Sequence, residues 1–146
     1  VSFKEKKIDI KKNYFLQKEL IKPTKIYVKE VLNLTKNNLI NGCANITGGG
    51  IAENVKRIIP KNLCANIDLN KIIPLKIFSW LKNYKIDDDE MINTFNCGVG
   101  FVLIISPKNL KKVNKFFSKE FKPYVIGKIS NGSKKIKFNE KINWSR

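Results

Sequence analysis

Three consecutive glycines, Gly48-Gly49-Gly50, stand where an apolar run gives way to helical spacing, and they constrain the chain more than any other feature. The run Leu39 to Ile46 enters the triplet through Thr47, and Ile51, Val55, Ile58 and Ile59 then recur at i, i+4, i+7 and i+8. Each glycine loses more backbone entropy on folding than any other residue, so three together make a poor strand or helix and a good loop. Such a loop either needs positive φ or lets a ligand approach bare main chain. A helix beginning just beyond it aims unpaired N–H groups and a partial positive charge back at the loop, which suits a phosphate. The plainer alternative is a tight strand-to-helix turn with no ligand.

Around this stretch the chain alternates strand and helix signals. The segment 1–13 reads as a Lys-rich, flexible lead-in, opening without an initiator Met, as a fragment of a longer protein would. A short helix follows over Tyr14 to Ile21, ending before Pro23 because a residue preceding proline is pushed out of the α region. Thr24 is an N-cap candidate for a helix from Lys25 to about Asn37. Asn41-Gly42 suggests a bulge in the next strand, and Pro60 stops the helix after the glycines. Leu63 to Asp68 reads as a strand, and Pro74 fits the first turn of a helix carrying Ile77, Phe78, Leu81 and Tyr84 inward.

The acidic cluster Asp87, Asp88, Asp89 and Glu90 has two readings. Carboxylates can hold Mg²⁺, but Asp87 and Glu90 also have capping-box spacing at a helix start, and the cap is the preferred reading. Phe101 to Ile105 has no polar alternation and is expected as a central strand buried on both faces. Ser106-Pro107 opens a helix to about Lys119, packed through Leu110, Val113, Phe116 and Phe117. Tyr124 to Ser130 is a further strand, Asn131-Gly132 a hairpin turn, Lys135 to Phe138 an edge strand, and the tail beyond Asn139 is expected to be loose. The pattern points to an α+β fold layered α-β-α, a mixed β-sheet with helices packed on it, in a single domain spanning 1–146.

Composition narrows the partners. The net charge is +17, which invites a nucleic-acid reading, but the cations are almost all Lys, scattered along the chain, with Arg only at Arg57 and Arg146. Lys, Asn and Ile are abundant together, as in a biased genome, so nucleic acid is not the expected partner. No apolar run is long enough to span a bilayer, and no export signal is recognised. Cys43, Cys64 and Cys97 lie at unrelated spacings with no His in the chain, which argues against zinc and for reduced thiols in a cytoplasmic protein.

Four groups of residues carry a resemblance. Pro23-Thr24-Lys25-Ile26-Tyr27-Val28-Lys29, Ile46-Thr47-Gly48-Gly49-Gly50 with Glu53-Asn54, Arg57 with Pro60, and Glu90-Met91 through Thr94-Phe95-Asn96-Cys97-Gly98-Val99-Gly100 stand in fixed order. The set resembles the C-terminal half of the phosphoribosylformylglycinamidine cyclo-ligases, or aminoimidazole ribonucleotide synthetases, over roughly Leu16 to Gly132. Selenophosphate synthetase, thiamine-phosphate kinase and formylglycinamidine ribonucleotide synthase share the architecture, but the Thr-Phe-Asn-Cys-Gly stretch favours the cyclo-ligases.

The resemblance implies a ligase of purine biosynthesis, in which ATP, with Mg²⁺, phosphorylates the formyl amide oxygen of formylglycinamidine ribonucleotide. A nitrogen of the same molecule then closes the imidazole ring to give aminoimidazole ribonucleotide. It further implies that ATP and Mg²⁺ bind mainly to an N-terminal domain outside this chain, through which the whole enzyme forms a homodimer. This chain alone is then an inactive, monomeric, substrate-side domain. Thr47, Gly48, Gly49, Gly50 and Asn54 are the implied phosphate-binding residues. Asn45 stands where the family has His and is left with orienting the substrate, since its amide cannot carry a proton charge. Asn96 and Gly98 are expected to line the cleft, and Cys97 to be a packed thiol. Arg57 either pairs with phosphate or bridges to Glu53 at i, i+4. No metal ligands are assigned. Two other readings remain: a non-catalytic interaction or regulatory module reusing the fold, and a basic nucleic-acid-binding domain.

Overall fold

The computed structural model describes residues 10–145, so residues 1–9 of the expected lead-in lie outside the described part. A short 3₁₀ turn leads into α1 (Tyr14–Leu20), capped by Asn13, whose Oδ1 accepts from the Leu16 amide at 3.1 Å. The next helix, α2 (Val28–Lys36), starts three residues later than expected. Thr24 is not its cap; residues 22–27 run as a strap without regular structure, and Tyr27 occupies the N-cap position. There follow β1 (Gly42–Asn45), α3 (Gly50–Ile58), β2 (Leu63–Asp68), α4 (Lys76–Lys82) and α5 (Asp88–Thr94). The chain ends with β3 (Phe101–Ile104), α6 (Leu110–Asn114), β4 (Gly127–Asn131) and β5 (Ile136–Asn139).

The strands form two sheets. β1 pairs antiparallel with β3, from Gly42 opposite Ile104 to Asn45 opposite Phe101, with no bulge at Asn41-Gly42. The second sheet is mixed, as expected: β2 is central, antiparallel to β4 and parallel to β5. Asn131-Gly132 is therefore not a hairpin turn. The two strands it joins flank β2, so the connection crosses the end of β2, where the Gly132 amide donates to Asn62 O at 3.0 Å. Nor is β3 a central strand buried on both faces. It has one neighbour, its residues are half-buried, and its side chains line a cavity shared with β4.

The main core joins Ile51, Val55 and Ile59 of the α3 region to Ala65 and Ile67 of β2 and to Met91 and Ile92 of α5. Phe78 and Leu81 of α4 pack against it, while Pro74 lies outside that helix, before its N-cap Leu75. A smaller cluster gathers Leu34, Leu39 and Val113 with Phe116 and Phe117, although α6 ends at Asn114, well short of Lys119.

The tail is anchored rather than loose. Ile142 is buried in the main core, and Trp144 donates its Nε1 proton to Asp88 Oδ1 at 2.9 Å. Lys82 Nζ lies 2.7 Å from the same oxygen. Asp87 takes the N-cap position of α5 without making a capping hydrogen bond, so Asp88 serves the tail and the capping box does not form. Burial pushes the Asp88 carboxyl up, but hydrogen bonds from Lys82 and Trp144, with the charges of Lys82 and Lys141, outweigh it and hold the group below its ordinary 3.8. A depressed carboxyl stabilises the fold above its unfolded-state pKa and loses that contribution as pH falls through the folded-state value. Asp88→Asn is accordingly expected to lower stability at pH 7 by about 1 kcal/mol. Melting curves of the two proteins should converge as pH drops below that ordinary value.

Candidate functional site

The three glycines, alike in sequence, differ in what surrounds them. Gly50 is buried at φ 58°, and a Cβ there would run into the Ile92 carbonyl oxygen and stand 2.9 Å from its carbon and 3.0 Å from Phe95 O. The first turn of α3 thus lies directly on the backbone of α5. Gly49 is the N-cap of α3 in the left-handed conformation, φ 88°, which L-residues adopt only with strain. Gly48 is exposed, and a Cβ there would meet nothing within 4 Å. Neither strain nor crowding explains its missing side chain.

Asn54 closes the loop from inside. It is 5% exposed, and its Nδ2 donates to Gly50 O at 2.8 Å and Gly48 O at 3.3 Å, with Thr47 O at 3.5 Å. Thr47 Oγ1 lies 3.5 Å from Asn54 Oδ1, and the Gly50 amide donates to Thr47 O at 3.1 Å. Among the described residues, no backbone acceptor faces the amides of Gly48, Gly49 or Ile51. Asn54 therefore faces the loop's carbonyls from its buried side.

Asn45, Thr47, Asn96 and Gly98 come together on one cavity of about 1250 Å³, whose far side is formed by the strap and by residues 120–129. The Asn45 side chain makes no hydrogen bond among the described residues. Asn96 Oδ1 accepts from the Gly98 amide at 2.9 Å, fixing the turn after α5. Gly98, at φ 102°, packs on Ile73 O, which a Cβ would approach to 2.7 Å. Cys97 is fully buried, and its Sγ donates to Met91 O at 3.4 Å. Burial, reinforced by the charge of Asp88, pushes its thiol up to about 12, so it is a protonated packing group and no nucleophile at neutral pH.

Arg57 does not join this constellation. It is exposed near the far end of α3, about 10 Å along the axis from Gly50 at 1.5 Å per residue. The bridge to Glu53 is made by Lys56, at 2.7 Å, and not by Arg57. The hydrogen bond and charge of Lys56 hold the Glu53 carboxyl below its usual range, with Arg57 contributing least.

Tyr27, on this cavity, falls within the helix expected from Lys25 to Asn37 but lies instead in the strap before α2. Its ring packs on Phe101 at 5.4 Å and edge-on against Phe121 at 5.7 Å, and its hydroxyl fills the place of a side chain at Gly100. Burial raises the phenol's pKa, keeping it a neutral donor. The Tyr27 and Gly100 pairing had a signal in the glycine alone. Lys25 ties the strap to the opposite wall, donating to Glu120 O at 3.1 Å and sitting 5.1 Å over the Phe121 ring. Among the described residues, no group of three or more Asp, Glu, Cys or His side chains is placed to hold a metal ion, and no helix is long and apolar enough to cross a membrane.

Comparison with known proteins places this geometry in context. Residues 3–138 match the family described as AIR synthase related protein, C-terminal domain. Proteins named phosphoribosylformylglycinamidine cyclo-ligase from Streptococcus pneumoniae serotype 4 (strain ATCC BAA-334 / TIGR4) and from strains Hungary19A-6 and CGSP14 are each 45% identical over 115 residues. Those residues are 78% of this chain and 33% of each relative, so the chain spans about a third of the length of the curated relatives it matches.

Proposed function

The chain belongs to the AIR synthase related C-terminal domain family, and from that membership we propose that it is the substrate-side part of a phosphoribosylformylglycinamidine cyclo-ligase of purine biosynthesis. One observation carries the reading. Among the described residues the amides of Gly48 and Gly49 face no acceptor, beside a cavity where Asn45, Thr47, Asn96 and Gly98 meet. A loop of this kind holds the phosphate of formylglycinamidine ribonucleotide through main-chain N–H groups. Gly48 leaves the space the phosphate needs.

Asn45 and Asn96, on the same cavity, orient the amide end of the ribonucleotide. Holding the ring-closing nitrogen near the activated carbon turns the step into an intramolecular attack from a fixed geometry. ATP supplies the phosphoryl group that activates the formyl oxygen. In this reading ATP and Mg²⁺ bind chiefly to the N-terminal domain outside this chain, as the family resemblance implies. That domain closes the cleft and carries the homodimer contact; alone, this chain is monomeric, inactive and cytoplasmic. Arg57 lies too far along α3 to share the loop's phosphate, and Asn54 supports the loop rather than touching the ligand.

The test is a chimaera in which this chain takes the place of the matching third of the pneumococcal relative. Given ATP, Mg²⁺ and formylglycinamidine ribonucleotide, the chimaera is expected to form aminoimidazole ribonucleotide. A folded chimaera that forms none, beside an active parent, overturns the assignment.

A further inference from the structure

Tyr27 and Tyr124 both line the cavity, but the fold uses only one of their hydroxyls. The Tyr124 hydroxyl accepts from the Ile73 amide at 3.3 Å. The Tyr27 hydroxyl makes no hydrogen bond among the described residues, although the residue is half-buried. A phenylalanine would pack the same ring on Phe101 and Phe121 and would spare the fold a partly desolvated polar atom. The chain instead makes room for the oxygen. A Cβ at Gly100 would stand 2.4 Å from the Tyr27 hydroxyl oxygen and 3.2 Å from its Cζ. Glycine loses more backbone entropy on folding than any other residue, and the space it leaves here is taken by that hydroxyl.

The neighbouring polar group is equally uncommitted. Phe101, on which the Tyr27 ring packs, is the register partner of Asn45 in the antiparallel pair of β1 and β3. Directly opposed residues put their side chains on the same face of the ladder, so the Tyr27 phenol and the Asn45 amide flank one ring. The Asn45 amide has no partner among the described residues either. Lys25, two residues before Tyr27, is engaged with Glu120 O and the Phe121 ring. This corner of the cavity therefore offers a neutral O–H, an amide with donor and acceptor ends, and an aromatic ring. That set suits an uncharged planar amide rather than a phosphate.

We propose that Tyr27 is a specificity-determining residue of the ribonucleotide site, its hydroxyl donating to the formamide oxygen of the ligand while Asn45 accepts from the adjacent N–H. The inference rests on the substrate-side reading above and names the residue that tells this ligand from other ribose phosphates. Burial raises the pKa of the Tyr27 phenol, so it stays a neutral donor at physiological pH. A carbonyl oxygen has two lone pairs, so this bond orients the formamide and leaves the second lone pair free.

The experiment titrates the chain, isotope-labelled at its tyrosines, with formylglycinamidine ribonucleotide and separately with ribose 5-phosphate, which keeps the phosphate and lacks the amide end. In the parent protein the ribonucleotide is expected to bind at least about threefold more tightly and to shift the Tyr27 Cζ resonance, which ribose 5-phosphate leaves in place. Tyr27→Phe keeps the ring packing. It is expected to bind the ribonucleotide about three- to tenfold more weakly and ribose 5-phosphate as the parent does. Unchanged ribonucleotide affinity in Tyr27→Phe, or an equal loss for both ligands, overturns the role of Tyr27 and leaves the substrate-side reading standing. A parent protein that binds neither ligand overturns that reading and this one with it. Should Tyr27→Phe fail to fold, the parent decides: a Tyr27 Cζ resonance unmoved by bound ribonucleotide contradicts the proposal.

Discussion

Gly50→Ala is expected to cost at least about 3 kcal/mol of stability, enough to unfold much of the population of a marginally stable domain. Two penalties coincide. The left-handed conformation at φ 58° costs an L-residue roughly 1–2 kcal/mol. The added methyl would also collide with the Ile92 carbonyl, which is part of the α5 backbone and cannot swing away like a side chain. Relief requires α3 to lift off α5, opening the core at Ile51, Val55, Met91 and Ile92. Denaturant unfolding should show the midpoint falling sharply. A midpoint unchanged from the parent would mean that the two helices do not meet as closely as described.

Gly48→Val should separate function from folding. The position has no positive φ, and its Cβ direction is open for 4 Å, so stability should stay within about 0.5 kcal/mol of the parent. A branched side chain there nevertheless occupies the space through which a phosphate reaches the neighbouring amides. Hydrogen bonds to a charged group contribute about 1.5–3 kcal/mol each, so displacing the phosphate from even one should weaken binding by ten- to about a hundredfold. Thermal melting and a sulfate titration of the same sample measure both quantities. Two glycines of one triplet with opposite phenotypes, one structural and one functional, are what the loop geometry predicts; a stable Gly48→Val that still binds sulfate contradicts the cradle.

How much could be read from residues alone depended on whether the deciding interaction was local. β2 was legible to its last residue because Leu63 to Asp68 is a short apolar run bounded by turn residues. The helix after the glycines was legible too, from Ile51 and Val55 at helical spacing and the stop at Pro60. The hairpin at Asn131-Gly132 failed because a good local turn signal was overruled by pairing of β4 and β5 with opposite edges of β2. The tail failed because Trp144 is fixed by Asp88, 56 residues earlier, and no periodicity in so short a segment announces that contact. Thr24 looked like a cap, but residues 22–27 are held as a strap by Lys25 and Tyr27 against Phe121 and Phe101, contacts that span most of the chain.

The site divides along the same line. Thr47, Gly48 and Gly49 were read as a loop before a helix, and the loop is there, with the amides of Gly48 and Gly49 unbonded among the described residues. What residue types could not reveal is the division of labour among identical glycines, or that Asn54 faces inward. Asn45, Asn96 and Gly98 share one cavity as the motif order suggested, whereas Arg57 is separated from them by the length of a helix.

The central claim, that this loop receives the phosphate of a ribonucleotide, is tested most directly by comparing formylglycinamidine ribonucleotide with the same molecule lacking its 5′-phosphate. Each is titrated into the isotope-labelled chain and followed at the backbone amides. The account predicts that the ribonucleotide shifts the amides of Gly48 and Gly49 and that the dephosphorylated compound leaves them in place. Equal shifts from both compounds, or shifts confined to lysine-bearing surfaces away from the loop, would contradict it.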